Sequence, residues 1–308
     1  MTFKSLCLIA FAGVVVAGCF SMESTAKPNA ARDGESVRQS NASPTPAKTP
    51  PSNNNNMSDT KTAKGFMGNL PVDFTQPVDD AGRLLLREYG SVFVARNGAV
   101  PPKKVVFRDE ADVSAFQAGL ERSSETISGL RIELQTAAMT GLKAAIAEAR
   151  GENLTISPRG VDSARRGYTQ TVTLWASRVN PGLVYWVGKG RVTQAEAARI
   201  KSLSPYEQVP VILKLEEQRI YFAKDLSKSI IYSVAPPGTS QHLSMLALDV
   251  KEFDNLRVRE ILAKHGWFQT VVSDLPHFTY LGVNESELPG LGLKKVPSGS
   301  RAFWVPDI

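Results

Sequence analysis

The stretch from Ser21 to about Lys64 limits how much of this 308-residue chain can fold. Serine, threonine, proline, asparagine and alanine dominate it, and it contains the run Asn53 to Asn56. Such a composition cannot bury enough apolar surface to offset the conformational entropy that ordering removes. We therefore predict that residues 19–64 form a linker and that residues 65–308 form one folded domain.

Residues 1–18 have the pattern of a signal peptide. Lys4 gives a short positive region, and the apolar run from Leu6 to Ala17 is shorter than the roughly 20 residues that span a bilayer. The run ends in Val-Ala-Gly directly before Cys19, which resembles the bacterial lipobox. An ordinary signal peptide that happens to contain a cysteine is the alternative interpretation.

The lipobox resemblance implies that Cys19 is lipidated and becomes the first residue of the mature protein. Two or three acyl chains anchor a protein stably. Phe20 follows the cysteine in place of aspartate, which resembles an outer-membrane signal in a host with an outer membrane. A flexible linker of about 40 residues reaches roughly 35 Å from such an anchor. We therefore expect a lipid-anchored cell-envelope protein, on the periplasmic side of the outer membrane in a Gram-negative host.

Cysteine usage restricts the chemistry of the predicted domain. Both cysteines lie within the first 19 residues, so residues 65–308 can form neither a disulfide nor a thiolate metal site. Any metal ion there must use histidine, aspartate or glutamate. The formal net charge of +6 is modest, and lysine and arginine alternate with acidic residues instead of forming a basic stripe. We expect a monomer with no nucleic-acid partner.

Apolar periodicity predicts mainly helices in the first half of the domain. An i+4 stripe predicts a long amphipathic helix ending near Gly151. The residues of this stripe are Leu130, Leu134, Ala138, Leu142 and Ile146. Further helices are predicted from a cap at Asp162 or Ser163 through Trp175, from Thr193 through Ile200, from Pro205 to about Phe222, and from Asn255 to His265.

Short β-prone runs dominate the second half of the domain. The predicted strands are residues 153–157, 230–232, 246–250, 268–272 and 278–281. Helices first and strands later predict an α+β domain built around a small antiparallel sheet.

The chain has three histidines, and two of them lie in chemically suggestive positions. His265 precedes Gly266 at a predicted helix end, where a cation complements the helix dipole, so we expect a structural role. His242 follows a turn-rich segment, and Asp249 lies seven residues later in an apolar run. A regular strand would place these two on opposite faces, and a helix would place them about 10 Å apart, so a shared ion requires a bend. His277 also leaves a turn to enter a predicted strand.

Two motifs around these histidines resemble signatures of the peptidase M15 family, the VanY-type D-alanyl-D-alanine carboxypeptidases. Residues 240–249, SQHLSMLALD, are similar to the family's SxHxxGxAxD. Residues 274–282, DLPHFTYLG, are similar to its ExxHFxYxG. The motifs occur in the family's order with a predicted helix between them. The resemblance covers about residues 235–282 and is faint upstream.

The resemblance implies that His242, Asp249 and His277 bind a zinc ion. Two imidazoles and a carboxylate leave a fourth position for water, which is typical of a catalytic zinc. Zinc lowers the pKa of that water toward about 7 and polarises the scissile carbonyl. The family's general base, a glutamate, corresponds to Asp274, which would take a proton from the water and return it to the leaving amine. A pair of satisfied histidines and a capping aspartate is the structural alternative.

Two residues depart from the family's pattern, and neither is an implied ligand. Asp274 is one methylene shorter than glutamate, so its carboxylate reaches less far unless the loop moves inward. Met245 replaces the glycine of the first motif, at the bend required between His242 and Asp249, and lacks glycine's freedom at positive φ.

The family also uses an arginine to bind the substrate's terminal carboxylate, which suits a bidentate guanidinium. Arg159 fits the position at a strand end, and Arg166 fits the S-x-x-R spacing with Gln170 downstream. We favour Arg159 slightly, although a solvated surface role is common for any single arginine. Ser240, which opens the first motif, is a further candidate for substrate binding.

These expectations describe a zinc-dependent D,D-carboxypeptidase that removes terminal D-alanine from peptidoglycan stem peptides. An L,D-carboxypeptidase or D,D-dipeptidase of the same fold is an alternative, because pocket depth decides which bond lies over the metal. A non-catalytic wall-binding lipoprotein is a second alternative, motivated by Asp274 and Met245.

Overall fold

A computed structural model describes residues 65–308 of the chain. The predicted signal peptide, lipidated Cys19 and linker lie outside the described residues. The α-helices are α1 (Gly65–Gly68), α2 (Asp80–Tyr89), α3 (Glu110–Ala118), α4 (Thr136–Gly151), α5 (Tyr168–Gly188), α6 (Gln194–Ser202), α7 (Pro205–Glu217) and α8 (Leu256–Lys264). Short 3₁₀ helices span Gly90–Val94, Ile230–Tyr232, Gln241–Ser244 and Glu285–Leu291.

The strands of residues 65–308 form small antiparallel sheets. They are β1 (Arg122–Ile127), β2 (Leu130–Gln135), β3 (Ala247–Asp249), β4 (Trp267–Phe268), β5 (His277–Tyr280), β6 (Leu293–Ser298) and β7 (Arg301–Pro306). Strand β1 pairs with β2 and β6 with β7, while β5 lies between β3 and β4 in a three-stranded sheet. In this central sheet Asp249 lies directly opposite His277. Directly opposed side chains are close enough to interact, so the register brings these two together.

The combination of helices with small antiparallel sheets agrees with the predicted α+β class. The predicted order of helices and strands is partly wrong. The hairpin β1–β2 precedes α4, and the predicted helix over residues 130–151 begins only at Thr136. Ser128–Gly129 makes the hairpin turn with φ of 49° and 79°, as two-residue hairpin loops require. Alternate residues from Leu130 to Leu134 face inward, so the same apolar residues also fit a strand with a period of two.

Helix α5 starts later than predicted, at Tyr168. The predicted cap at Asp162 or Ser163 is wrong because this part of the chain forms a loop that hydrogen-bonds to β3. The backbone N–H of Asp249 donates to the Ser163 carbonyl at 2.8 Å. Helix α5 then continues to Gly188 through an internal proline.

Predicted helix ends with side-chain caps are confirmed. The Thr193 hydroxyl accepts the Glu196 N–H at 3.1 Å at the start of α6. Pro205 opens α7 as predicted, although α7 ends at Glu217 instead of near Phe222. Asn255 caps the start of α8. Capping satisfies N–H groups that have no partner inside the helix, which explains why these local signals were sufficient.

The end of α8 confirms the structural role expected for His265. His265 is its C-terminal cap residue, and its Nε2 lies 2.9 Å from Glu148 Oε2. Gly266 follows with φ of 81°, a conformation that glycine adopts without strain.

Several predicted strands are wrong or shorter than expected. Residues 153–157 form no strand, and Pro158 makes only a single bridge to Val250. Residues 230–232 form a 3₁₀ helix, and β4 contains only Trp267–Phe268. The predicted strands over residues 246–250 and 278–281 are confirmed as β3 and β5, although β3 is shorter and β5 begins one residue earlier, at His277. The terminal hairpin β6–β7 was not predicted.

One large apolar core extends through the described residues. Its fully buried aromatic side chains include Trp175, Trp267, Phe66, Phe222 and Phe278. Burying a large side chain fully is worth roughly 1.5–3 kcal/mol, so these aromatics contribute substantially to the stability of the fold. No helix in residues 65–308 combines the length and apolar character needed to cross a membrane.

Candidate metal centre

The three side chains expected to bind a metal converge in the structure. His242 lies in the 3₁₀ helix Gln241–Ser244, Asp249 ends β3 and His277 begins β5. His242 Nε2 lies 3.1 Å from His277 Nδ1, and Asp249 Oδ1 lies 3.3 Å from each of these nitrogens. A tetrahedral zinc about 2.0–2.1 Å from each ligand places its ligand atoms about 3.3–3.4 Å apart. The triangle formed by His242 Nε2, His277 Nδ1 and Asp249 Oδ1 therefore has nearly the dimensions of one face of a tetrahedral zinc site.

Met245 supplies the bend between His242 and Asp249. It has φ of 59° and ψ of 24°, and its N–H donates to the His242 carbonyl at 3.2 Å. This left-handed conformation favours glycine, yet the Met245 side chain is completely buried in the core. We infer that packing of the methionine side chain offsets the backbone strain.

A backbone carbonyl fixes the proton on His242. Its Nδ1 lies 2.8 Å from the Ala164 carbonyl oxygen, which can only accept a hydrogen bond. The proton is therefore on Nδ1, and Nε2 presents a lone pair to the triangle. Complete burial lowers the pKa of His242, outweighing the opposite effect of Asp249, so the imidazole stays neutral.

Gln241 fixes the proton on His277. Its Nε2 donates to the Tyr89 carbonyl at 2.9 Å, which orients its Oε1 toward His277 Nε2 at 2.8 Å. The Thr279 hydroxyl donates to the same oxygen. Because Gln241 offers an acceptor, His277 Nε2 carries a proton, and in the neutral imidazole Nδ1 then presents its lone pair toward Asp249.

The third atom of the triangle is a carboxylate oxygen of Asp249 that lacks a hydrogen bond within the described part of the chain. Asp249 Oδ1 is buried and has no hydrogen-bond partner among residues 65–308. In neutral imidazoles the nitrogens of His242 and His277 that face it are also acceptors, so neither donates a hydrogen bond to it. Buried acceptors without donors are costly, and a cation resolves that cost. These residues therefore fit a metal ion, and as two imidazoles and one carboxylate they suit zinc.

The other oxygen of Asp249 is bound by Arg166. Arg166 Nη2 lies 2.8 Å from Asp249 Oδ2, and the two side chains are only 14% and 13% exposed. Arg166 Nε donates to the Asp162 carbonyl at 2.9 Å. Of the two arginines considered from the sequence, Arg166 therefore lies at the centre, where it contacts a candidate ligand.

An open cavity of about 250 Å³ adjoins the two histidines. His242, His277 and three further residues singled out from the sequence, Arg166, Ser240 and Asp274, lie in its walls. Asp274 is exposed, whereas Ser240 is largely buried. Arg178 of α5 also lines the cavity and was not predicted.

Arg159 and Gln170 do not line this cavity. The backbone N–H of Arg159 donates to the Asp249 carbonyl at 3.0 Å, while its side chain is exposed. Gln170 is exposed, and its Oε1 accepts the Gly167 N–H at 2.8 Å at the start of α5. Their substrate contacts stay predictions.

Two residues of the centre were missed from the sequence. Gln241 lies inside the first motif, but its partner His277 is 36 residues away, so nothing local indicated the contact. Arg178 follows Thr171 and Leu174, which also line the cavity, at helical spacing on α5. This i, i+3, i+7 pattern is the signal that could have identified Arg178.

No protein-family model matches the chain, and no curated protein matches it. Two solved structures are similar to part of it. One is a mutant of the vancomycin-resistance D,D-pentapeptidase VanY from a VanB-type cassette in complex with Zn(II), with a TM-score of 0.30 and 15% identity over 54% of this chain and 82% of that chain. The other is VanYB in complex with D-alanine-D-alanine, with a TM-score of 0.32 and 16% identity over 54% of this chain and 80% of that chain. These values are too low to assign a family, so function is inferred from the site itself.

Proposed function

We propose that this protein is a zinc-dependent D,D-carboxypeptidase that removes terminal D-alanine from peptidoglycan stem peptides. The observation that carries the proposal is the convergence of one ligand atom each from His242, Asp249 and His277 at the spacing of a tetrahedral zinc. The preference for D-alanyl peptides is supported by the two motif resemblances in the sequence.

Asp274 has the chemistry and the location of a general base. It is a carboxylate in the wall of the cavity, on the turn that leads into His277. A zinc ion held by His242, Asp249 and His277 would supply activation of water and polarisation of the scissile carbonyl. Asp274 would then take a proton from the attacking water and return it to the leaving amine.

We propose that Arg178 binds the substrate's terminal carboxylate. Arg178 donates to the hydroxyls of Ser233 at 3.0 Å and Ser177 at 2.9 Å, and no ion pair within residues 65–308 includes it. Its charge is therefore available to an anionic group in the cavity, whereas that of Arg166 is already paired with Asp249. Hydrogen bonds to charged groups contribute about 1.5–3 kcal/mol.

The size of the cavity agrees with recognition of a chain end. Its volume of about 250 Å³ lies just below the roughly 300–1,000 Å³ of pockets that enclose a drug-sized ligand. Because the cavity is open, the rest of a peptide can extend away from it. A terminal residue with its carboxylate on Arg178 fits this arrangement.

Zinc content and product masses test the proposed function. The chain carrying Cys19→Ser should contain one zinc by elemental analysis, and His242→Ala should remove it. Pentapeptide muropeptides should lose the mass of one alanine, and a chelator should stop the reaction. Loss of a dipeptide, or trimming of tetrapeptide stems only, would favour the related peptidase alternatives. A folded wild type without zinc would contradict the metal centre, and a zinc-loaded protein that leaves every stem intact would favour the wall-binding alternative.

A pair of arginine variants tests the substrate contact. Arg178→Gln should lower kcat/KM for pentapeptide stems about 10–100-fold with zinc content unchanged, because it removes a charged donor from the cavity. Arg159→Gln is the matched control, since its side chain is exposed and lies outside the cavity walls. A larger loss in Arg159→Gln than in Arg178→Gln would support the assignment from the sequence instead.

We also propose that Cys19 anchors the protein in the cell envelope, on the sequence pattern alone. Cys19→Ser should move the protein from the membrane fraction to the soluble envelope fraction. A variant that still pellets with membranes after high-salt washing would show that lipidation does not hold it there.

A further inference from the structure

The two oxygens of Asp249 have different partners. Oδ1 faces His242 and His277 at 3.3 Å and lacks a hydrogen bond within residues 65–308, whereas Oδ2 accepts a hydrogen bond from Arg166 Nη2 at 2.8 Å. We infer that Arg166 is a positioning residue that keeps Asp249 a one-oxygen ligand of the metal. This inference rests on the proposed zinc centre, and it gives Arg166 a different role from the substrate contact that its sequence spacing suggested.

The guanidinium of Arg166 is held at two points. Nε donates to the Asp162 carbonyl at 2.9 Å while Nη2 contacts Asp249, and the side chain is only 14% exposed. A guanidinium offers several donors in one rigid plane, which a lysine ammonium cannot reproduce. Arg166 is therefore suited to fix the direction of the carboxylate and not only its charge.

The loop that carries Arg166 also contacts the ligands through its backbone. The Ser163 carbonyl accepts the Asp249 N–H at 2.8 Å, and the Ala164 carbonyl accepts the His242 Nδ1–H at 2.8 Å. The same loop therefore holds the imidazole of His242 and both the backbone and the carboxylate of Asp249. This arrangement limits rotation of Asp249 and supports a fixed assignment of its two oxygens.

The consequence concerns the number of metal positions left for chemistry. A carboxylate that binds through both oxygens occupies one more coordination position than a carboxylate that binds through one. A catalytic zinc keeps a position for water or substrate beside its three protein ligands. By binding Oδ2, Arg166 keeps Asp249 from taking that position.

Zinc affinity and a cobalt spectrum test this role without measuring turnover. In the Cys19→Ser chain, Arg166→Gln should weaken zinc binding about 10–100-fold in a chelator competition, the usual effect of losing a partner of a ligand. The visible absorption of the cobalt(II)-substituted protein should also change, because Oδ2 becomes free to coordinate. Arg165→Gln is the matched control, since Arg165 bonds to Gln117 and Glu133 and not to Asp249. It should leave both measurements unchanged.

A second background separates positioning of Asp249 from a general effect on the fold. With Asp249→Ala already present, Arg166→Gln should add little further loss of zinc affinity, because the two residues act through one contact. An equal loss in both backgrounds, or wild-type affinity and spectrum in folded Arg166→Gln, would overturn the inference. If Arg166→Gln does not fold, Arg166→Lys should show a smaller loss of zinc affinity in the same assays. Wild-type zinc affinity in Arg166→Lys would then contradict the positioning role. A wild type that binds no zinc would instead contradict the proposed function.

Discussion

The backbone N–H of His277 donates to the carbonyl oxygen of Asp274 at 3.1 Å, so one turn presents both side chains to the cavity. The Asp274 N–H in turn donates to the Val271 carbonyl at 3.0 Å. Because both hydrogen bonds use the backbone, side-chain changes at Asp274 leave the turn intact. The proximity of the acid to a candidate ligand is thus a property of local structure.

If Asp274 is the general base, Asp274→Asn should reduce turnover about 10²–10⁴-fold while zinc content and thermal stability stay at wild-type values. Asparagine keeps the size of the side chain but cannot accept the proton. Asp274→Glu restores the length found in the M15 motif and should keep at least partial activity. Wild-type turnover by Asp274→Asn would mean that another residue is the base.

Replacing Gln241 should weaken metal binding although Gln241 is not a ligand. Gln241→Leu removes the oxygen that holds His277 in its metal-binding tautomer, so zinc affinity should fall about 10–100-fold in a chelator competition. Gln135→Leu is the matched control, because Gln135 is also a buried amide with backbone partners but contacts no candidate ligand. Equal affinities in the two variants would contradict a role of Gln241 in orienting His277.

The left-handed backbone of Met245 predicts an unusual order of stabilities. Met245→Ala should destabilise the protein by about 2–5 kcal/mol, because it leaves a cavity in the core. Met245→Gly should be the more stable of the two by about 1 kcal/mol, since glycine adopts positive φ without strain. Met139, buried in α4, is the control, and there glycine should be the less stable variant. Urea denaturation of the four variants measures whether glycine is more stable than alanine at Met245 and less stable at Met139. The same order of stability at both positions would contradict the prediction.

The burial of His242 predicts that the metal-free protein loses stability in mild acid. Burial lowers the pKa of His242 below its ordinary value, so the unfolded chain binds the proton first as the pH falls. The contribution of His242 is therefore present above about pH 6.5 and is lost as the pH falls below that value. Urea denaturation at pH 7.5 and 5.5 should show the decrease, and His242→Gln should show a shallower one. Identical pH dependence in both proteins would contradict this origin.

The sequence was a good guide where the deciding interaction is local. Thr193 and Pro205 marked helix starts correctly because a cap involves only residues of the first turn. The spacing from His242 to Asp249 correctly required a bend, since regular helices and strands keep these positions apart.

Apart from the convergence of His242, Asp249 and His277, which the two motifs implied, contacts between distant parts of the chain were not predicted from the sequence. The apolar residues from Leu130 to Leu134 fit a helix or a strand, and pairing with β1 decides for the strand. The partner of Gln241 comes from β5, and the charge of Arg166 is directed to Asp249 by the loop at Ser163 and Ala164. The local sequence around Gln241 and Arg166 does not indicate which distant groups these side chains contact.

The register of β3 against β5 also determines how metal binding is coupled to folding. Asp249 and His277 are opposite each other only in this register, and a slip of one residue would turn one of them to the other face. Pairing of β3 with β5 therefore brings Asp249 and His277 together before any ion binds. This reduces the conformational entropy that is lost when a metal binds. An ion bound by all three residues would also link the sheet to the segment that carries His242. Zinc should accordingly slow hydrogen exchange of the amides around His242 far more than exchange within β5.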